Sequence, residues 1–274
     1  MSTPIQITTV DDPRVAVFSR LTEAQLRNRL DPSAALFVAE SPKVITTALD
    51  VGLTPTALLC EQKHLEGDAA PLVARCPEMP VFTGSREVLS ALTGYTLTRG
   101  VLCAFRRPQP RSVAEVCRTA RRVVVLDGVT DVRNFGAIAR TCECAGVDAI
   151  VIPERGSVSV NADAVKTSAG ALHYLPVCRE KNLTSALKFL KNTGYKVYGA
   201  AGGGAVDYTK PDYTEPTAIV LGSEDEGIST DVLRLCDQLV SIPEFGNIRS
   251  LNVSVAAGVL IYEVVRQRHS QEIG

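Results

Sequence analysis

Five short apolar runs in the second half of the chain constrain its fold more than any other feature: Val123–Leu126, Ala149–Ile152, Lys196–Ala200, Ala218–Leu221 and Leu239–Ile242. They are rich in β-branched residues and show little polar alternation, the pattern of strands buried on both faces. Most are separated by stretches long enough for a helix. This predicts an α/β fold whose sheet is largely parallel and covered on both sides. In such sheets ligands collect beyond the carboxyl ends of strands, so chemistry is expected in the residues directly after each run.

The first hundred or so residues read as a smaller α/β unit. Strands are expected at Ala35–Ala39, Thr56–Cys60, Val81–Phe82 and Gly100–Phe105, with a helix near Ser85–Leu92 and another opening at Ser41-Pro42. Asp12-Pro13, a capping residue followed by proline, predicts a helix running to about Leu30. The proline-interrupted stretch Arg106-Arg107-Pro108-Gln109-Pro110-Arg111 predicts the boundary, dividing the chain into residues 1–110 and 111–274. Each part is long enough to bury a core of its own.

The formal net charge is −1, yet the stretch Arg99 to Arg122 holds seven arginines and a single acid, Glu115. Arginine suits forked contacts to phosphate, so Arg99, Arg106, Arg107 and Arg111 are candidate residues for binding an RNA or DNA backbone. A solvated linker is the alternative reading. The eight cysteines include no CxxC pair and no zinc-type spacing, which predicts reduced, mostly buried thiols and no metal site. Met1–Thr9 lacks a basic region followed by an apolar block, and no stretch approaches the roughly 18 apolar residues of a membrane span. The expected location is the cytoplasm.

Three strand exits carry unusual polar residues. After the first run come Asn134 and, in an otherwise small and apolar stretch, Arg140. Asn134 is placed as the N-cap of a helix, which sets Arg140 about 9 Å further along the axis. A surface pair with Glu143 is the alternative for that arginine. After the fourth run, Gly222 and Gly227 bracket three acids beginning with Glu224, which suits a turn where backbone approaches a ligand. After the fifth, Ile242-Pro243 leads to Ser250-Leu251-Asn252-Val253-Ser254, ahead of a stretch apolar around the whole helix that is expected to be buried. The polar residues at its mouth need partners, though some are simple caps.

Together these segments resemble the signature motifs of the SpoU, or TrmH-like, class of RNA ribose methyltransferases in the SPOUT superfamily. The matching positions are Asn134 to Arg140, Gly222-x-Glu224-x-x-Gly227, and Ile242-Pro243 followed by Ser250 to Ser254. The stretch Val165 to Leu172 is also similar, and the likeness spans about Val123 to Arg266. One departure is Val132 after Asp131, where family members often carry proline. The resemblance implies a deep trefoil knot in the C-terminal α/β part and S-adenosylmethionine as cofactor, met by Gly222, Ile242 and Leu251, with Gly227 and Ala201 bordering the same pocket. It implies ribose 2′-hydroxyl methylation with Arg140 at the reacting ribose, and Asn134, Glu224, Ser250 and Asn252 orienting ribose and arginine. It further implies a homodimer, and an N-terminal domain similar to a ribosomal protein that selects the RNA, with ribosomal RNA favoured and transfer RNA the alternative. Two other classes stay open: a non-catalytic RNA-binding protein on the same scaffold, and a flavin or nicotinamide enzyme. The second requires a phosphate loop after its first strand, which Asp127-Gly128-Val129-Thr130 does not supply.

Overall fold

The computed structural model describes residues 3–19, 35–97, 100–108, 111–158, 160–202, 205–247 and 250–273. It divides into two compact units, Met1–Gln109 with Val160–His173, and Pro110–Ser159 with Tyr174–Gly274.

The first unit is built on strands β1 (Ile5–Gln6), β2 (Leu36–Glu40), β3 (Pro55–Glu61), β4 (Val81–Gly84) and β5 (Val101–Arg106), in the order β1-β4-β3-β5-β2. β5 runs antiparallel to β2 and β3, while β4 lies parallel to β1 and β3. Helices α1 (Pro42–Asp50), α2 (Ala70–Arg75) and α3 (Arg86–Thr93) connect them. Ser41 and Ser85 cap α1 and α3, each hydroxyl accepting a backbone N–H three residues on. The helix expected from Asp12 is instead a single 3-10 segment, Pro13–Phe18, and residues 20–34 lie outside the described residues. Asp12 caps that segment as read.

The segment 160–173 belongs with this unit although it follows the boundary by fifty residues. Its helix α6 (Ala162–Thr167) packs on β2, and Val165 joins the core of Phe37, Ile45, Leu58 and Phe105. Lys166 reaches Glu40, whose side chain is only 6% exposed, at 3.0 Å. The cut expected at residue 110 therefore leaves out a return of the chain to the first unit.

The second unit holds a seven-stranded sheet in the order β10-β12-β9-β11-β6-β7-β8, and every pairing is parallel. The strands are β6 (Arg122–Asp127), β7 (Ala149–Pro153), β8 (Val177–Glu180), β9 (Lys196–Ala200), β10 (Val206–Asp207), β11 (Thr217–Gly222) and β12 (Gln238–Ser241). Alternation along the central strands divides the core. Val123, Val125, Ala218 and Val220 face Val116 of α4 (Val113–Val116), Leu187 of α7 (Leu183–Asn192) and Val232 of α8 (Thr230–Leu233). On the other side Val124 and Ile219 meet Ile261 and Val264 of the final helix α9 (Val253–Ile273), which packs against α5 (Val132–Cys144) and β11. Both faces are thus covered, as the apolar runs require.

α9 is not buried all round. Val253, Ala257, Leu260, Ile261 and Val264 are buried, whereas Val255 and Tyr262 are about half exposed. Among the described residues no helix is long and apolar enough to cross a membrane. All eight cysteines are free, four of them buried and Cys144 exposed. Burial pushes the Cys60 and Cys178 thiols up to about 12, so neither is a ready nucleophile.

Candidate functional site

Strand order brings the expected exits together. β9 lies between β12 and β11, and β11 between β9 and β6, all parallel. Ala201, Gly222 and Ile242 therefore leave three neighbouring strands at one edge of the sheet, and Asp127 leaves the fourth. The Ala201 N–H donates to the Val240 carbonyl at 3.0 Å, tying the first of these exits to β12.

The loop after β11 is a closed turn. Ser223 and Gly227 exchange two backbone hydrogen bonds of 3.1 and 3.0 Å, and the Ser223 hydroxyl accepts the Glu226 N–H at 3.1 Å. Gly227 has φ +70°, and a Cβ on Gly222 would stand 2.0 Å from the Gly227 carbonyl carbon. No larger residue fits there without moving backbone. Asp127 braces the turn from β6 by accepting the Ser229 N–H at 2.8 Å.

That turn holds Glu224 against two other segments. Asn134 Nδ2 donates to both carboxylate oxygens of Glu224 at 3.1 Å. Asn252 Nδ2 donates to Glu224 Oε1 at 2.6 Å and to Asn134 Oδ1 at 3.0 Å. The Val253 N–H, in the first turn of α9, also points at Oε1 at 3.5 Å, where a carboxylate complements the helix dipole. The three side chains form a ring in which each amide nitrogen faces an acceptor. This ring joins the first turn of α5, the turn after β11 and the mouth of α9.

Asn134 is not the cap of α5. Asp131 takes that place, accepting the Arg133 and Asn134 N–H groups at 2.8 and 2.9 Å, which leaves the Asn134 side chain for the ring. Asn252 combines both duties: its Oδ1 accepts the Ser254 N–H at 3.0 Å while its nitrogen serves the ring. Arg140 and Ser250 stay outside. Both are exposed, and among the described residues Arg140 has no hydrogen bond or ion pair, Glu143 included. Of the five expected catalytic residues, the structure bonds three to one another.

The arginine strip is divided. Arg106 and Arg107 belong to the first unit, and Arg111 onward to the second; Arg99 lies outside the described residues. Arg106 and Arg111 are exposed. Arg107, expected on RNA, donates to the carbonyls of Leu36 at 3.2 Å and Val160 at 3.0 Å, and its guanidinium lies 6.0 Å from the centre of the Phe37 ring. It holds the returning segment to β2.

Ala201, Gly222 and Ile242 are themselves small or apolar, and the turn directly after Gly222 carries acids rather than a cation. That donor set fits a nucleoside read through backbone groups and apolar contact, and does not fit a pyrophosphate.

Comparison with known proteins identifies the family. The SpoU rRNA Methylase family model matches residues 121–262, more than half of the chain and the whole of the ring, so the chain belongs to that family. A Staphylococcus haemolyticus protein assigned to the TrmH family of tRNA/rRNA methyltransferases is 45% identical over 147 residues, 54% of this chain and 59% of that one. The match thus spans about three fifths of such relatives. The crystal structure of an AdoMet-bound rRNA methyltransferase from Sinorhizobium meliloti, 26% identical, covers 95% of this chain and 97% of its own with a TM-score of 0.80. The A. aeolicus TrmH/SpoU tRNA modifying enzyme, 31% identical, covers 58% of this chain and 82% of its own with a TM-score of 0.51.

Proposed function

We propose that the protein is an S-adenosylmethionine-dependent RNA methyltransferase acting on a ribose 2′-hydroxyl. The observation that carries this reading is the Asn134–Glu224–Asn252 ring, which gathers residues far apart in sequence at the ends of neighbouring parallel strands. S-adenosylmethionine supplies an electrophilic methyl group on a sulfonium centre. Ala201, Gly222, Gly227, Ile242 and Leu251 would hold it, the closed turn at Gly222 fixing one wall. The 2′-oxygen forms the new bond to the methyl carbon as the carbon–sulfur bond breaks and its electron pair returns to sulfur. The hydroxyl proton passes to solvent water in the same event.

Arg140 stabilises the developing oxyanion and clamps phosphate. A guanidinium is a poor base, so its part is that of a cation and hydrogen-bond donor. The ring positions the helix that carries it, and Ser250 remains available for the ribose. Replacing Arg140 with Ala is expected to abolish tritium transfer from labelled donor to RNA while calorimetric donor binding is unchanged. Retained transfer removes Arg140 from the mechanism.

Ribosomal RNA is the favoured substrate. The solved rRNA methyltransferase matches nearly the whole chain, first unit included, whereas the tRNA enzyme matches little more than half. The alternating parallel pairing, with β12 set between β9 and β10 ahead of α9, supports the trefoil knot implied by the family likeness. The first unit selects the RNA in this reading. Methyl mapping on total RNA separates ribosomal from transfer RNA.

A further inference from the structure

We propose that Arg133 is a second phosphate clamp, acting in tandem with Arg140 along one face of α5. The proposal rests on the RNA methyltransferase reading above and extends it to a residue that reading leaves without a role.

Seven residues separate the two arginines, so they stand within about 20° of each other around the helix and about 10 Å apart along it. The faces of α5 are otherwise allotted. Phe135, Ile138, Ala139 and Cys142 are buried, and Asn134 belongs to the ring. The remaining face carries Arg133 and Arg140, both exposed, with half-buried Ala137 between them; the one acid of α5, Glu143, is exposed a turn beyond Arg140 and makes no ion pair with it. Small Ala137 leaves a polyanion free to approach both guanidiniums.

The position of Arg133 is unfavourable for the helix itself. It sits in the first turn, where the helix dipole disfavours a cation. Its ion pair with Asp131 is 3.3 Å long and its side chain 87% exposed, so that pair contributes little and yields easily to a phosphate. Asp131 caps the helix end, so the row of positive potential beside the ring comes from the two guanidiniums, Arg133 on the first turn and unpaired Arg140 two turns on. Consecutive phosphates flanking one splayed nucleotide are the anions that match such a row. Arg140 meets the phosphate at the reacting ribose, and Arg133 the next along the strand. Arg133 therefore holds RNA in register without touching the reacting atoms.

The test compares wild type with R133A and R133K. Binding of a short labelled single-stranded RNA is followed by anisotropy across a salt series, and methyl transfer by tritium incorporation into total RNA. R133A is expected to weaken RNA binding about fivefold to tenfold and reduce the salt slope by about one. KM for RNA rises by more than kcat falls, donor affinity is unchanged, and the melting temperature does not drop. R133K should keep the slope and recover part of the affinity. An unchanged slope and KM in R133A overturn the proposal while leaving the enzyme assignment intact. Failure of the wild type to bind or methylate RNA overturns both.

Discussion

Glu224, Asn134 and Asn252 direct their polar atoms at one another, so each is a positioning residue whose loss is felt through the others. The carboxylate makes the ring one of opposite dipoles around a charge. N252D sets a second carboxylate against Glu224 and is expected to cost more activity than N252A, by about tenfold, as like charges at hydrogen-bond distance repel. Equal losses in methyl transfer would show that charge in the ring is immaterial. His173 makes a different prediction. Its Nε2 is buried without a partner, it lies against Phe37, and burial lowers its pKa from 6.5 to about 4. The folded state thus disfavours the proton that the unfolded state accepts. The associated stability is complete above pH 6.5 and is lost as pH falls from there toward 4, on the order of 1–3 kcal/mol. Urea unfolding of H173F should show a smaller fall than wild type over that interval; parallel curves would assign the fall to other groups. Ser41 has φ +92°, a region that favours glycine. Its cap to the Val44 N–H is long at 3.4 Å, so S41G is expected to stabilise the protein by about 1 kcal/mol, read from the melting temperature.

Among the elements, those with continuous β-branched runs were legible, and the reason is burial on two faces. β6, β7, β9, β11 and β12 all fall within a residue or two of their expected spans. The strands that escaped, β1, β8 and β10, are each at the edge of a sheet. Val177–Glu180 is half polar, and β1 and β10 have two residues apiece, so neither hydrophobicity nor length marked them. The site was legible in part for a similar reason. Polar residues at the mouth of an apolar helix announced themselves, but the competition between Asp131 and Asn134 for one cap could not be settled by residue type, since both are good caps. Arg107 looked like its exposed neighbours because its partners are backbone carbonyls from distant segments, which leave no trace in composition. The turn after β11 offers the sharpest test at this scale. G222A forces backbone apart at Gly227 and Ile228, and is expected to abolish donor binding in calorimetry. Wild-type affinity in that variant would disconnect the turn from the cofactor.

At the scale of the molecule, the exposed side of α9 is the feature most in need of a partner. Val255 and Tyr262 stand seven residues apart on one stripe with half-buried Val259 between them, a strip of apolar surface that a second copy would cover if the homodimer implied by the family resemblance forms. V255D combined with Y262D is expected to shift sedimentation at micromolar concentration from dimer to monomer. A wild type that sediments only as monomer would remove the dimer from the reading.

The thread that leaves the second unit at residue 160, completes the core of the first and goes back at 174 makes the two units hard to trade as independent cassettes. A gene fusion that borrows only residues 1–109 would inherit Phe37, Ile45 and Glu40 stripped of Val165, His173 and Lys166. Recombination that exchanges the first unit between homologues must therefore carry two stretches of sequence at once.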